Sequence, residues 1–121
     1  MHEFSLCHTL VEKMLEEAEK LTPPSVRVTK TVLACGRLRQ IVPEYLQAAY
    51  EALTQGTIAE NSILEIREIP IVGRCSACGR EGELDMSEGF ICPKCAAPVS
   101  EMISGRELFL EQMEIEQDET D

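Results

Sequence analysis

Four cysteines occur in two closely spaced pairs in the second half of the chain. Cys75 and Cys78 form the first pair, Cys92 and Cys95 form the second, and thirteen residues separate the pairs. Two intervening residues bring a pair of thiolates into one tight turn, and two such turns supply the four soft ligands that tetrahedral Zn²⁺ prefers. Because four thiolates leave no open coordination position, the spacing predicts a structural zinc site and not a catalytic one.

The other roles of cysteine fit this sequence less well. A thioredoxin-like redox motif needs one C-x-x-C pair within a βαβ unit, and no such unit is indicated here. Disulfide bonds are uncommon in the reducing cytoplasm, where we expect this protein to reside. The two remaining cysteines, Cys7 and Cys35, lie in apolar stretches, so we expect them to behave as small buried hydrophobic residues.

The first three residues, Met1-His2-Glu3, could also bind a metal. The terminal amine, the deprotonated amide of His2 and the His2 imidazole can form successive chelate rings in one plane, the geometry that Ni(II) or Cu(II) prefers. Glu3 adds a carboxylate nearby. An ordinary chain start is the other interpretation, and the residues alone leave both open. A second histidine, His8, is expected to be structural, on the flank of the first helix between its apolar and polar faces.

The hydrophobic pattern predicts the elements that position these groups. Residues 4–21 have apolar side chains at helical spacing and acidic residues on the opposite side, which predicts an amphipathic first helix. A second helix is expected over residues 43–54, with Pro43 at its first position. Three strands are expected, over residues 25–34, 62–72 and 107–115, the second ending or lying at an edge near Pro70. The predicted core face of the first helix consists of Phe4, Cys7, Leu10, Val11, Met14, Leu15 and Ala18.

The segment between the second and third strands has few long apolar side chains, so it cannot fold alone without a covalent staple or a metal. We therefore predict an α+β fold, in which two helices pack on a small β-sheet and a four-cysteine zinc module is inserted before the last strand. The expected domains are residues 1–72 together with 106–116, residues 73–105 as the zinc-binding domain, and an acidic tail at 117–121.

Charge and composition exclude several function classes. Eleven Lys and Arg residues against 22 Asp and Glu residues give the 121-residue chain a formal net charge of −11. A chain this acidic would be repelled by nucleic-acid phosphates. No apolar run approaches the roughly 18–20 residues that cross a bilayer, and the opening residues lack the pattern of a signal peptide. No Ser/His/Asp or Cys/His catalytic set is recognisable, so we do not expect an enzyme. The negative charge and the lack of a long apolar run likewise predict no nucleic-acid partner and no membrane partner.

These motifs together resemble the HypA/HybF family of hydrogenase maturation factors, which are small metallochaperones for nickel insertion. The resemblance covers nearly the whole chain. Its motifs are Met1-His2-Glu3 with Ser5-Leu6, the Val26/Val28 strand leading to Gly36-Arg37-Leu38, Pro43-Glu44, the two cysteine pairs, and Ser104-Gly105-Arg106-Glu107-Leu108.

The resemblance implies a nickel metallochaperone that delivers Ni(II) during [NiFe]-hydrogenase maturation and contains structural Zn(II). It implies as partners the GTPase HypB, the hydrogenase large subunit and, for some members, urease maturation proteins. The implied ligands are His2 for nickel, supported by the Met1 amine and Glu3, and Cys75, Cys78, Cys92 and Cys95 for zinc.

The sequence departs from the family pattern in two places. Arg37 stands where many relatives have Glu, and residues 73–105 contain no histidine that could join a nickel site. The alternative interpretation is a zinc-ribbon adaptor protein without metal-delivery activity.

Overall fold

The computed structural model describes residues 2–20 and 26–117, with side chains for residues 4–20 and 27–116. The helices and strands are α1 (His2–Lys20), β1 (Val26–Gly36), α2 (Pro43–Thr54), β2 (Ile63–Ile69), β3 (Val72–Arg74), β4 (Glu81–Glu83), β5 (Glu101–Ser104) and β6 (Leu108–Gln117). Short 3-10 helices lie at Arg37–Arg39 and Met86–Glu88. The strands form two three-stranded sheets, in the orders β2-β1-β6 and β4-β3-β5.

The chain divides into two compact units. The first comprises Met1–Ala34, Ile41–Arg67 and Phe109–Asp121, and the second comprises Cys35–Gln40 and Glu68–Leu108. The second unit extends beyond the predicted segment 73–105. Part of the reason is that the N–H of Gly36 donates to the carbonyl of Glu107 (2.7 Å) and the N–H of Leu38 donates to that of Gly105 (2.8 Å).

The core of the first unit is formed where α1 packs against α2. Spacing of three and four residues places Cys7, Val11, Met14 and Ala18 of α1 on one buried face, as the sequence predicts. The sequence also predicts Phe4 on this face, but Phe4 lies in the first turn of the helix and is 43% exposed. The other buried side chains of this unit include Val28, Val32, Leu46, Ala49, Tyr50 and Leu64.

The buried hydroxyl of Tyr50 has hydrogen-bond partners inside this core. The Tyr50 hydroxyl donates to Thr31 Oγ1 at 3.0 Å and lies 2.6 Å from Ser62 Oγ. Tyr50 and Thr31 are both buried. Their hydrogen bonds remove the penalty of burying hydroxyls without partners.

The second unit is built around β3. This strand pairs antiparallel with both β4 and β5, and Arg74 forms ion pairs with Glu81 and Glu101 on the two flanking strands, at 2.8 Å each. Close packing explains Gly73, because a Cβ there would lie 2.7 Å from a methyl carbon of Leu84. The core of this unit consists of Ile71, Cys75, Leu84, Cys92 and Val99.

The structure confirms the predicted α+β class, with two helices, small sheets and a four-cysteine cluster. The strand expected over residues 62–72 ends at Ile69, in agreement with the end or edge predicted near Pro70, which has no N–H with which to continue the ladder. Residue 72 belongs instead to a separate strand, β3, which begins at Val72. The helix end at residue 21 and the acidic residues 118–121 lie outside the described residues. In the part of the chain that is described, no helix combines the length and apolarity needed to cross a membrane.

Candidate metal centre

The first cysteine pair lies in a tight turn that the backbone itself closes. The N–H of Cys75 donates to the carbonyl of Arg80, and the N–H of Gly79 donates back to the carbonyl of Cys75, both at 2.8 Å. Gly79 has a φ of +79°, a conformation that glycine adopts without steric cost. This turn directs the thiols of Cys75 and Cys78 to the same side.

The second pair repeats this arrangement seventeen residues later. The N–H of Cys92 donates to the carbonyl of Ala97, and the N–H of Ala96 donates to the carbonyl of Cys92, again at 2.8 Å. The position equivalent to Gly79 is Ala96, with a φ of +66°. A non-glycine residue there is strained, so this turn depends on surrounding contacts to hold it. The sequence signals the first turn through its glycine but gives no such signal for the second.

The two turns bring all four sulfurs together. Every pair of these atoms lies within 4.8 Å. Cys75 Sγ is 3.5 Å from Cys95 Sγ, and Cys78 Sγ is 3.7 Å from Cys92 Sγ. Zn–S bonds of about 2.3 Å in a tetrahedron place sulfurs about 3.8 Å apart, so the cluster has the dimensions of a tetrathiolate zinc site.

One cysteine of each pair is buried and the other is exposed. Cys75 and Cys92 are each 1% exposed and belong to the core of the unit, whereas Cys78 and Cys95 face solvent. An ion held by all four would therefore connect the core to the surface loops. Within the described residues, no other group of three or more His, Cys, Asp and Glu side chains could share a metal ion.

The thiols differ in acidity because their hydrogen bonds differ. Backbone N–H groups of Cys95 and Lys94 lower the pKa of Cys92 to about 6, and those of Cys78 and Ala77 lower the pKa of Cys75. An N–H of Ala97 acts in the same direction on Cys95, but hydrogen bonds with the neighbouring thiols outweigh it and raise that pKa to about 12. The cluster therefore favours some thiolate while it retains protons, and a divalent cation would displace these protons.

The other predicted ligand group is at the start of α1. The helix begins at His2, while Met1 and the side chains of His2 and Glu3 lie outside what the structure describes. The sequence predicts a structural role for His8 on the flank of the first helix. Its side chain is 53% exposed, with Nδ1 3.6 Å from a Glu12 carboxylate oxygen.

The two isolated cysteines are buried, as the sequence predicts. Cys7 Sγ donates a weak hydrogen bond to the carbonyl of Leu46 at 4.0 Å, and Cys35 Sγ donates one to that of Gly36 at 3.8 Å. Burial raises the pKa of Cys7 to about 11 and also raises that of Cys35. Both are therefore packing residues with neutral thiols.

Comparison with known proteins identifies relatives over nearly the full length. The model of a family described as "Hydrogenase/urease nickel incorporation, metallochaperone, hypA" matches residues 1–115. The hydrogenase maturation factor HypA of Nostoc punctiforme is 37% identical over 117 residues, which cover 97% of this chain and 97% of that protein. The HypA of Aquifex aeolicus is 34% identical over 120 residues, covering 98% of this chain and all of that protein.

Two solved structures share the fold. The solution structure of the nickel metallochaperone HypA from Helicobacter pylori superposes with a TM-score of 0.64 at 19% identity, and covers 96% of this chain and 98% of its own. A second solution structure of a HypA protein gives a TM-score of 0.68 at 21% identity, with 98% coverage of both chains.

Proposed function

The chain belongs to the HypA family of metallochaperones for nickel incorporation, and from this premise we propose that it carries Ni(II) during [NiFe]-hydrogenase maturation. The match over residues 1–115 carries the proposal, because it includes both the opening residues and all four paired cysteines. A zinc-ribbon adaptor without metal delivery gains no support from this match.

On this proposal, Cys75, Cys78, Cys92 and Cys95 hold Zn(II). The thiolates are soft ligands, the four sulfurs have tetrahedral spacing, and backbone N–H groups already favour ionisation of two of them. A closed set of four protein ligands leaves zinc no position for water or substrate. Its role is therefore structural, and the protein is not an enzyme.

The proposed nickel ligand is His2, supported by the Met1 amine and by Glu3. Because α1 begins at His2, the N–H of this residue is among the first four of the helix, which have no intrahelical acceptor. Its deprotonation by a metal would break no helical hydrogen bond. The positive end of the helix dipole would also stabilise the resulting negative nitrogen and the Glu3 carboxylate. Nickel affinity should fall at low pH, since amine, amide and imidazole must all lose protons.

The proposed partners follow from the same family membership. They are the GTPase HypB, the hydrogenase large subunit as the acceptor of nickel, and urease maturation proteins as a second set of partners. The proposed location is the cytoplasm. The names of the relatives support hydrogenase maturation as the process in which this chain acts.

Isothermal titration of Ni(II) into zinc-loaded protein tests the nickel site, and the decisive change is His2→Ala. Loss of the imidazole removes one member of the chelate, so we expect affinity to fall about 100-fold or more, equivalent to at least ~2.7 kcal/mol. The matched control is His8→Ala, which removes an exposed histidine from the same helix and should leave nickel affinity unchanged.

A second experiment tests the Met1 amine as a nickel ligand independently of the His2 imidazole. Protein whose chain begins at Met1 should bind nickel at least tenfold more tightly than protein with additional residues before Met1. Equal affinities in that pair would exclude the amine as a ligand. Retention of wild-type nickel affinity by His2→Ala would exclude His2, and the zinc content of each sample checks that its fold is intact.

A further inference from the structure

The second unit contains a pocket of about 370 Å³ in which apolar and acidic side chains meet. Ile71 and Leu84, both from the core of the unit, contribute to its lining. Ile91 also lines it and is 47% exposed, although it is a large hydrophobic residue. An apolar side chain that entered the pocket would remove this surface from water, which is favourable in proportion to the area buried.

The charged side chains in this lining are three carboxylates and one cation, Arg37. The Arg37 guanidinium is already paired, with Nε 3.3 Å from Glu68 and a terminal nitrogen 3.8 Å from Glu83. Asp85 accepts hydrogen bonds from the N–H and hydroxyl of Ser87, which hold the pKa of its carboxyl below the usual range. Glu83, Asp85 and Glu88 all line the pocket beside this single guanidinium. The lining therefore carries an excess of negative charge.

The chemistry of this pocket excludes two kinds of occupant. The carboxylates of Glu83, Asp85 and Glu88 do not form a group that could share one metal ion, since the four-cysteine cluster alone satisfies that condition in the described part of the chain. A nucleic-acid phosphate would be repelled by them. Charge complementarity favours a cationic ligand, and the apolar lining favours one with a hydrophobic side chain next to the charge.

We propose that this pocket docks a peptide segment of a partner protein, in which a basic side chain adjoins an apolar one. The apolar side chain contacts Ile91 and Leu84, and the basic side chain lies against Glu88 and Asp85. This docking function goes beyond nickel transport and uses none of the proposed nickel ligands.

The pocket wall is connected to the metal cluster through the chain itself. Ile91 and Pro93 both line the pocket, and Cys92 lies between them in sequence. The turn that positions the Cys92 thiol therefore also positions this wall. On this proposal, the metal site has no catalytic role but contributes to recognition of the peptide, because it fixes the wall of the pocket.

The test is an NMR titration of ¹⁵N-labelled, zinc-loaded, full-length protein with the capped pentapeptide Gly-Arg-Leu-Arg-Gly. We expect saturable shifts of the amide signals of residues 83–93. Two control peptides, with Glu in place of both Arg residues or Ser in place of Leu, should each bind at least several-fold more weakly. Added salt should weaken binding of the first peptide, because the charges are close to solvent.

Matched variants assign the binding to the pocket. Ile91→Ser should weaken binding about tenfold through lost apolar contact, whereas Ile103→Ser changes an equally exposed isoleucine outside the pocket and should have no effect. Glu88→Gln should weaken binding about threefold, and Glu51→Gln on α2 should not. Absence of shifts at millimolar peptide would overturn the proposal. Equal binding of the acidic peptide, or equal effects of a variant and its control, would do the same.

Discussion

At the residue scale, burial and hydrogen bonding give cysteines of this one chain very different acidities. Burial raises the pKa of Cys7 to about 11, whereas backbone N–H groups lower that of Cys92 to about 6. Thiolates and not thiols react with electrophiles and bind metals. The surroundings of Cys92 thus favour metal binding, whereas those of Cys7 keep its thiol neutral, although the residue type is the same.

Alkylation should reveal this difference. After chelation of the metal, which we expect to unfold the loops that hold the clustered cysteines, iodoacetamide at pH 8 should modify all four of them and leave the buried Cys7 unmodified. With a pKa of about 11, only about one Cys7 thiol in a thousand is ionised at pH 8, and its helix shields it further. Its slow reaction should accelerate about tenfold per unit as the pH rises from 8 to 10, since the thiolate fraction rises in that proportion.

Peptide mass spectrometry would follow each cysteine separately, with protein in guanidinium chloride as the control in which Cys7 reacts fully. Native protein whose Cys7 reacts as fast as Cys78 would contradict the assignment of Cys7 to the core.

At the element scale, the close approach of two backbones at Gly36 constrains the second unit. A Cβ at this position would lie 2.1 Å from the carbonyl oxygen of Gly105. The neighbouring hydrogen bonds from Gly36 to Glu107 and from Leu38 to Gly105 hold the two segments together, so neither can move aside cheaply. This contact explains why glycine is required at the end of β1.

Gly36→Ala should therefore destabilise the protein strongly, by about 3 kcal/mol or more. Gly56→Ala is the matched control, since its φ of +77° is unfavourable for alanine but no atom lies within 4 Å, and it should cost only about 1 kcal/mol. Urea unfolding of the zinc-loaded proteins measures both. Similar losses in the two variants would show that the backbones at Gly36 separate easily.

Local sequence signals predicted some elements well and others not at all. The helix expected over residues 43–54 has those bounds in the structure, because Pro43 is suited to the first helical turn and Gly56 follows its end. The strands β4 and β5 have only three and four residues, and Glu81-Gly82-Glu83 has no intrinsic strand preference. They form because β3 provides a partner on each side, and a local pattern does not contain that information.

The same distinction applies to the candidate site. The spacing within each cysteine pair is local, so a four-sulfur cluster could be predicted. The cross-pair proximity of Cys75 to Cys95, by contrast, depends on how the two turns meet in space. The pocket was not predictable, since Arg37, Leu84 and Ile91 come from three separate segments.

At the scale of the whole molecule, the two units depend on different sources of stability. The first has a continuous apolar core between its helices. The second has a core of five buried residues, of which Cys75 and Cys92 are themselves proposed metal ligands. Structural zinc sites contribute about 10–16 kcal/mol of apparent binding free energy in small peptides, which is more than such a core can replace.

Removal of the metal should therefore unfold the second unit selectively. With a chelator, or in Cys92→Ser, we expect amide hydrogen exchange over residues 75–95 to lose protection while α1 and α2 retain it. Exchange measured by mass spectrometry, together with metal content, tests this, with Cys35→Ala as a cysteine variant that should keep one zinc per chain. Full protection of residues 75–95 in metal-free protein would contradict a structural role for the ion.

On the proposed zinc site and docking function, the placement of Cys92 between Ile91 and Pro93 makes protein recognition depend on the supply of a trace element. In a zinc-starved cell, newly made chains would lack the ion that orders this loop, and with it one wall of the peptide pocket. On the proposed nickel site, such chains would still have the opening residues with which to capture nickel. Shortage of one metal would then leave the other bound to a carrier that the partner of this pocket no longer recognises.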